Sequence, residues 1–453
     1  MKSKLRLVLA LFLPMCVTLQ MHAHEWRMWG SLRVPRAFGY VAQISPTQAI
    51  AIGGIPDFVP GSQTFGTWVT RSCEILDVAT GLVSFTDSTK VGHADGCMVR
   101  MSNGRIVVLG GVTDGDANTT TLVEEYNPTT RKWTTKGNLL KKRRQQQAIA
   151  LDATRIMIAC GRDQNSLGGT SDIEIFDLAT GQCKLVAKHP HPITNHKLMM
   201  ADSSVYLIGG REGAPRSDRF ADVYRYDENT NQWVFAFNLP GPKPLFEGIN
   251  VYNGMYTTGG AIDLDDTQFS DTVYFIDRLG ARPLQGRHEG SVKGHCFAQW
   301  MNDSLISFGG ENASQASSTG SSWINTISGI VTAGPSLNIG RRYGSTVYLP
   351  GDGATPAAVF AICGVTSSNE VTPTIEIITG ANCSRTPFSS MFDPSSITTV
   401  GSARRTNTPS IVLTNNTTYN AGAVWWKNKV SLQSGLSIAF SFRLAMGSDN
   451  AQP

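Results

Sequence analysis

The segment Ser204-Val205-Tyr206-Leu207-Ile208-Gly209-Gly210 decides the fold of this chain. It is a short apolar run that ends in a glycine doublet, and Tyr224-Arg225-Tyr226-Asp227 and Trp233 follow it. Doublets or their degenerate forms recur at Gly53-Gly54, Gly110-Gly111, Cys160-Gly161, Gly209-Gly210, Gly259-Gly260, Gly309-Gly310 and Cys363-Gly364. Their successive spacings are 57, 50, 49, 50, 50 and 54 residues, so the chain is built from an internal repeat.

Each repeat reads as four short strands. In the second repeat, residues 97–100, 105–109 and 122–126 alternate or run apolar, and Trp133 opens a fourth strand. Apolar strands that end in Gly-Gly at intervals of about fifty residues are typical of propeller blades. The sequence therefore predicts an all-β, seven-bladed propeller, and its 45 glycines suit the many tight turns of such a fold.

The last repeat lacks the tryptophan that opens the fourth strand. Near the amino terminus, however, Leu32 and Arg36 follow Trp26 by six and ten residues, which is the spacing seen after Trp133. We therefore expect the amino-terminal strand to complete the seventh blade and close the ring without an open sheet edge.

The order Gly209-Gly210, Tyr226-Asp227 and Trp233 resembles the Kelch repeat family. The resemblance covers roughly residues 24–385 of a predicted propeller domain that spans residues 24–388, although the sixth repeat has Trp323-Ile324-Asn325-Thr326 in place of Tyr-Asp. It implies a propeller of six or seven blades that presents loops for binding, and sometimes an enzyme.

The family includes copper radical oxidases, whose sites need two histidines and two tyrosines, one of them linked to a cysteine. No Tyr-His pair stands where that family carries one. We therefore predict a non-catalytic binding or adhesion protein without a cofactor. The alternative is an extracellular carbohydrate-active propeller enzyme, similar to the oxidases, with a site at the mouth of the channel.

Residues 1–23 read as a signal peptide. Lys2, Lys4 and Arg6 precede the apolar run 7–13, which is too short to span a bilayer. No other segment is long and apolar enough for a membrane span, and a net charge of +4 over 453 residues does not point to nucleic acid. We therefore predict a secreted protein whose propeller loops bind a protein or a glycan.

Residues 389–453 follow a different pattern. Phe392, Leu413-Thr414, residues 421–426 and Phe440-Ser441-Phe442-Arg443 resemble the opening of a legume-type (L-type) lectin domain. The resemblance implies an incomplete concanavalin-like β-sandwich and carbohydrate binding. No sugar-binding or calcium residue can be transferred, because the corresponding positions would lie beyond Pro453.

Cations recur in the loops that join one blade to the next. One mouth of the channel is predicted to carry a basic rim that accepts acidic or sulfated groups, and the alternative is ordinary solvated loop charge. The rim consists of Arg36, His93, Arg143, Arg144, Lys243 and Arg342.

Other residue types give weaker signals. His295 and Cys296 could contribute to a metal site, but packing is the simpler interpretation, and Asp263, Asp265 and Asp266 read as a solvated acidic loop. Glycosylation acceptors occur at Asn118, Asn302, Asn312, Asn382, Asn415 and Asn416.

Seven cysteines follow the predicted signal peptide, an odd number for an exported chain. Cys160 and Cys363 replace the first glycine of a doublet and are expected to pack rather than react. A Cys160–Cys183 disulfide is excluded by the predicted topology, because the two residues lie at opposite ends of one blade.

Overall fold

The computed structural model describes residues 25–60, 66, 68–113, 118–163, 168–213, 218–251, 254–263, 265–290, 292–300 and 303–380, and four short strands after residue 396. Seven four-stranded antiparallel sheets account for the first part, as the repeat count predicted. Residues 1–23, which carry the predicted signal peptide, lie outside the described residues.

Blades 1 to 3 are simple meanders. Blade 1 consists of β2 (Tyr40–Gln43), β3 (Gln48–Ile52), β4 (Cys73–Asp77) and β5 (Leu82–Phe85). Blade 2 consists of β6 (Cys97–Arg100), β7 (Ile106–Leu109), β8 (Leu122–Asn127) and β9 (Lys132–Asn138). Blade 3 consists of β10 (Gln147–Ala150), β11 (Arg155–Ala159), β12 (Asp172–Asp177) and β13 (Gln182–Lys188).

Blades 4 to 6 repeat the same order. Blade 4 consists of β14 (Lys197–Ala201), β15 (Ser204–Ile208), β16 (Asp222–Asp227) and β17 (Gln232–Asn238). Blade 5 consists of β18 (Phe246–Val251), β19 (Gly254–Gly259), β20 (Tyr274–Asp277) and β21 (Gly280–Pro283). Blade 6 consists of β22 (Cys296–Trp300), β23 (Ser304–Phe308), β24 (Ser321–Asn325) and β25 (Val331–Ala333).

Blade 7 joins the two ends of the propeller. Its inner strands are β26 (Ser345–Leu349), β27 (Ala358–Ile362) and β28 (Thr374–Thr379), and its outer strand is β1 (Arg27–Ser31). Arg27 lies opposite Ile377 in the antiparallel pair of β1 and β28. Trp26 is 4% exposed, and the centre of its ring lies 4.7 Å from that of Phe308 in blade 6. The predicted closure is confirmed.

The glycine doublets join each blade to the next. The N–H of the second doublet residue donates to a carbonyl of the following blade, as Gly54 does to His93 at 2.9 Å and Gly364 does to Arg36 at 3.0 Å. A Cβ on Gly53 would lie only 2.2 Å from the carbonyl oxygen of His93, and φ there is +58°. Glycine therefore meets both the backbone conformation and the close approach.

The two cysteine substitutions keep this geometry. Cys160 and Cys363 adopt φ of 53° and 56°, and both are buried. Their packing role is confirmed. The six cysteines that the structure describes are all free thiols, so Cys160 and Cys183 form no disulfide. Cys383 lies outside the described residues.

Apolar side chains fill the spaces between neighbouring blades. Met157 and Ile173 of blade 3 pack with Leu207 and Tyr226 of blade 4 in one such cluster. Burying a side chain of this size stabilises the fold by about 1.5–3 kcal/mol. The blades are thus held by a repeated interface rather than by one central core.

Beyond the propeller, β29 (Ile397–Gly401) pairs with β32 (Gly422–Trp426), and β30 (Arg404–Arg405) pairs with β31 (Ile411–Val412). Most of the residues that resemble an L-type lectin lie outside the described residues, so that identification stays a prediction. Within the described ranges, no helix is long and apolar enough to cross a membrane.

Candidate functional site at the loop face

The four-stranded order gives the propeller two different faces. In an antiparallel meander, the loop after the second strand and the loop that enters the next blade lie at the same end. We call this end the loop face and the opposite end, with the two tight turns of each blade, the hairpin face. The predicted rim residues all belong to loops that enter a blade on the loop face.

All six predicted rim side chains are buried. Arg36 is 3% exposed, Lys243 is 5% exposed, and His93, Arg143, Arg144 and Arg342 are buried as well. The structure thus corrects the expectation of a solvent-facing basic rim. The physical reason is that most of these side chains turn back into their own blade, where they meet carbonyl groups and carboxylates.

Arg36 shows the arrangement in blade 1. Its guanidinium donates to the carbonyls of Gly53 at 2.6 Å and Ser72 at 2.9 Å, and to the Glu74 carboxylate at 2.8 Å. Glu74 lies on the third strand and is fully buried. The charge is thus neutralised inside the blade by the terminal guanidinium nitrogens, whereas the buried Nε has no hydrogen-bond partner among the described residues.

A basic side chain meets the equivalent glutamate in three further blades. Arg143 donates to Cys160 O at 2.9 Å and pairs with Glu174 in blade 3. Arg341 pairs with Glu376 at 2.6 Å in blade 7. In blade 2 the imidazole of His93 lies 3.0 Å from Glu124.

Each of these glutamates also holds the incoming loop. Glu174 accepts the backbone N–H of Leu140 at 2.9 Å, and Glu124 accepts that of Lys90 at 2.8 Å. The basic side chain and the loop therefore share one acceptor. The sequence contains a signal for this, since Glu74, Glu124 and Glu174 recur at intervals of fifty residues.

Lys243 occupies the same position in blade 5 without a carboxylate. Its Nζ donates to Gly259 O at 3.2 Å and lies 4.7 Å above the ring of Tyr274. Burial lowers the pKa of Lys243 to about 7. Ile193 and Val292 take this position in blades 4 and 6, so those blades have no cation there.

Arg144 and Arg342 lie one residue further along their loops. Arg144 is 3.6 Å from Asp95, and Arg342 is 3.4 Å from Glu311. Arg342 also donates to Gln315 O at 2.5 Å and lies over the ring of Phe58. These two arginines therefore belong to the loop face itself rather than to the interior of a blade.

Seven residues form a ring around the channel at this face, one from each entering loop, and we call it the mouth ring. Every member has φ between 52° and 60°, a left-handed conformation. Backbone hydrogen bonds link neighbouring members, as Gln145 N donates to Asp95 O at 2.8 Å. The mouth ring consists of Phe38, Asp95, Gln145, Asn195, Leu245, Gly294 and Tyr343.

Three arginines that the sequence reasoning missed stand beside the mouth ring. Arg162 and Arg211 directly follow a doublet, and Arg219 lies on the same loop as Arg211. Asp266 accepts from Arg211 at 2.9 Å and from Arg219 at 2.6 Å. Arg162 donates to the Gln145 side chain at 3.0 Å. A cation immediately after a doublet is the signal that was available in the sequence.

Arg144, Arg162, Arg211 and Arg219 together form what we call the arginine cluster. Burial, followed by the charge of Arg144, lowers the pKa of Arg162 to about 10. Asp95 and Asp266 are the carboxylates that pair with this cluster within the described residues. Four guanidinium groups therefore gather at one side of the mouth.

The other side of the mouth ring is aromatic. The rings of Phe38 and Tyr343 stack at 4.5 Å, and Phe58 lies 6.4 Å from Tyr343. The Tyr343 hydroxyl donates to Glu311 at 2.6 Å, and burial raises the pKa of Tyr343. The mouth thus has a cationic side and an aromatic side.

The candidate metal residues and the acidic loop have structural roles. His295 and Cys296 are buried, and His288 lies 5.5 Å from His295 between ring centres. Among the residues that the structure describes, no group of three or more His, Cys, Asp or Glu could hold a metal ion. Asp266 is ion-paired with the arginine cluster rather than solvated, whereas Asp263 caps its own loop through Thr267 and Gln268.

Of the glycosylation acceptors, Asn118 is exposed and Asn312 is half-buried, and both lie on loops that follow a doublet. Asn302, Asn382, Asn415 and Asn416 lie outside the described residues. Whether any of them carries a glycan stays a prediction.

Residues 96–278 match a family model described as the KLHDC2/KLHL20/DRC7 Kelch-repeats domain. Kelch-like protein 7 of Rattus norvegicus is 27% identical over 111 residues, which are 24% of this chain and 18% of that protein. Alpha-scruin of Limulus polyphemus is 21% identical over 205 residues, which are 43% of this chain and 22% of that protein. This chain thus matches about a fifth of the length of these relatives.

Two solved structures share the fold. YjhT is 17% identical with a TM-score of 0.50, over 64% of this chain and 96% of that one. A fungal alcohol oxidase of the AA5 family in complex with copper is 13% identical with a TM-score of 0.60, over 79% of this chain and 76% of that one. At this identity the likeness concerns the fold alone. Residues 96–278 are Kelch repeats, and the propeller that contains them has seven blades.

Proposed function

We propose that this protein is a binding protein whose loop face holds an acidic segment of a protein partner. The observation that carries the proposal is the arginine cluster, which gathers four guanidinium groups at one side of the mouth and whose member Arg162 donates to the Gln145 amide. The Kelch-like relatives support a protein partner, since Kelch propellers bind proteins through their loops.

The electrostatics of the mouth favour an anion. Burial, and after it the charge of Arg144, opposes the charged state of Arg162, so a carboxylate placed between these groups would relieve that cost. Arg162 is half-buried and its guanidinium donates to a neutral amide at Gln145 rather than to a carboxylate. It is therefore the member of the cluster best placed to accept a carboxylate from outside.

The aromatic side of the mouth adds a second requirement. Phe38, Phe58 and Tyr343 are half-buried and form an apolar wall on the other side of the ring. A segment that offers an acidic side chain next to an apolar one would contact both sides. Aromatic and arginine side chains are also the residues that most often dominate binding at protein interfaces.

The test selects random peptides displayed on phage against the full chain. We expect the selected sequences to be rich in Asp and Glu, and Arg162→Gln to weaken their binding about tenfold or more, the usual effect of losing a charged hydrogen bond. Lys184→Gln is the matched control, because Lys184 is an exposed cation on an outer strand of the same blade. Selection without acidic enrichment, or equal binding by the two variants, would overturn the proposal.

Export and glycan binding are separate proposals that rest on the sequence. The basic start and apolar run of residues 1–23 support secretion, and sequencing the amino terminus of the mature protein tests it. The resemblance of the tail to L-type lectins supports carbohydrate binding. A glycan array probed with the full chain and with residues 24–390 tests that, and binding by neither form would overturn it.

A further inference from the structure

The outer strand of blade 4, β17, forms the edge of its sheet. It pairs with β16 on one side, and in the described part of the chain no other segment pairs with its backbone. With seven residues it is as long as β9 and β13, and longer than the other outer strands. An edge strand of this kind presents a row of backbone N–H and C=O groups with which a further strand can pair.

The side chains of β17 are apolar on both faces of the sheet. Val234 is 44% exposed and Phe235 is 51% exposed. Phe235 pairs with Tyr224 on the side that faces blade 3, and their ring centres lie 5.9 Å apart. Val234 pairs with Arg225 on the side that faces blade 5. No charged residue occurs in β17 or its flanks, over residues 230–242.

The other outer strands carry features that discourage pairing with a further strand. Four of them contain Lys or Arg: Arg27 of β1, Lys132 and Lys136 of β9, Lys184 and Lys188 of β13, and Arg282 of β21. The remaining two, β5 and β25, have only four and three residues. The guanidinium of Arg33 also lies 5.5 Å from the ring centre of Phe85, at the end of β5. β17 has none of these features.

Blade 2 offers a matched comparison. β9 has the same length as β17 and the same β-bulge, and Thr134 and Thr135 stand where β17 has its two exposed apolar side chains. The edge of β9 is also partly occupied, because the Trp133 N–H donates to Asp87 at 2.9 Å. One hundred residues after Asp87 stands Ala187, which offers β17 no side-chain acceptor. The repeat therefore does not require an apolar edge.

We propose that β17 pairs with the β17 of a second copy of this chain, antiparallel and across a two-fold axis. The axis joins the two sheets of blade 4 into one and keeps like faces together. Phe235 of both copies then lies on one face of the joined sheet, and Val234 of both copies lies on the other. Apolar contacts between the strands add to the backbone pairing on both faces.

The chemistry of the strand selects this occupant. A charged segment, such as the acidic one proposed for the loop face, would find no ion pair along residues 230–242 and would place its charges against apolar side chains. A second β17 brings uncharged backbone groups and apolar side chains that match on both sides. A two-fold pair is also closed, so association stops at two copies.

Sedimentation equilibrium of the full chain measures the association. One pair of strands falls short of the about 1,600 Å² that a stable interface buries, so we expect a dissociation constant of about 100 μM. Phe235→Lys places a charge on the edge and should weaken association at least about tenfold. Val234→Lys, on the other face of the strand, should act in the same way.

Thr135→Lys is the matched control. It places the same charge at the equivalent exposed position of blade 2 and should leave association unchanged. Hydrogen exchange locates the contact, because protection of β17 should rise with protein concentration in the parent and not in Phe235→Lys. Thermal melting of the variants at low concentration distinguishes a local loss from misfolding.

The proposal is overturned if the chain stays monomeric at about 1 mM, a concentration well above the expected dissociation constant. Association that survives both lysine variants of β17, or that Thr135→Lys weakens equally, would also contradict it. A third contrary result is an uncharged peptide that binds through Phe235 while the chain stays monomeric, since the edge would then belong to another partner. Arg162→Gln should leave association unchanged, so the test is independent of the function proposed for the loop face.

Discussion

Blades 1, 2, 3 and 7 differ from blades 4, 5 and 6 in how they treat buried charge. The first group places a basic side chain from the entering loop, arginine in blades 1, 3 and 7 and His93 in blade 2, against a third-strand glutamate, as Arg36 does with Glu74 at 2.8 Å. The second group has Tyr224, Tyr274 and Ser322 at the glutamate position, which is fixed by pairing two residues before the doublet. We call the two groups the ion-paired blades and the unpaired blades.

The unpaired blades bury basic groups without that carboxylate. Burial lowers the pKa of His189 to about 4 and places the pKa of His295 well below its usual value. The groups that act on His295 are His288, Lys197 and Lys243, all of them basic. One repeat architecture therefore has two kinds of interior. In one, a basic side chain faces a glutamate, and in the other, burial disfavours the protonated form of the basic groups.

The largest effect on stability is expected from removing the amino-terminal residues up to Arg36. A chain that lacks residues 1–36 loses the outer strand of blade 7 and the cation of blade 1, and it exposes a sheet edge. We expect its thermal transition to collapse, whereas a chain that begins at Glu25 should melt like the full chain. Identical melting of the two shortened chains would show that the closure by β1 contributes little.

Glu174→Gln breaks one ion pair and should cost about 3–5 kcal/mol in the free energy of unfolding. The loss is large because Arg143 is left as a buried charge and Leu140 N–H loses its charged acceptor. Tyr224→Phe, at the equivalent position of blade 4, should change that free energy by less than about 1 kcal/mol. Urea unfolding measures both.

A double variant sharpens this comparison. Arg143→Met with Glu174→Leu replaces the pair by apolar side chains and should recover most of the loss. Similar losses for Glu174→Gln and Tyr224→Phe would contradict the division into two groups.

Lys243→Met should raise the free energy of unfolding at pH 7 by about 1–3 kcal/mol. Removal of the arginine from an ion-paired blade should instead lower it. The pKa of Lys243 falls from 10.5 to about 7 on folding, so the unfolded chain binds more protons between these values. Stability of the parent therefore falls as the pH is lowered from 10.5 to 7, and the gain from the variant should shrink as the pH rises. A gain in stability that does not change with pH would contradict the lowered pKa of Lys243.

The repeat made the fold predictable. The doublets recur in every blade, and the spacing from Trp26 to Leu32 and Arg36 repeats that seen after Trp133, so the sequence alone predicted seven blades and their closure. The exposure of the predicted basic rim could not be predicted in the same way. Spacing placed Arg36 and Arg143 in the correct loops, but the direction of a side chain depends on its partner, and Glu74 and Glu174 lie more than thirty residues away.

The binding residues were harder to predict for the same reason. Arg162 and Arg211 stand beside one another only after two blades pack, and Asp266 comes from a third.

The most direct test of the division is hydrogen exchange, resolved by blade, at pH 7 and pH 5 and corrected for intrinsic rates. Because folding lowers the pKa of His189 and His295, the unfolded chain binds more protons as the pH falls from 6.5 toward 4, and stability is lost in that window. We predict that the third strands of blades 4 and 6 lose protection at pH 5 while those of blades 1, 3 and 7, whose pairs contain arginine, keep theirs. A uniform loss, or a loss confined to blades 1, 3 and 7, would contradict the account.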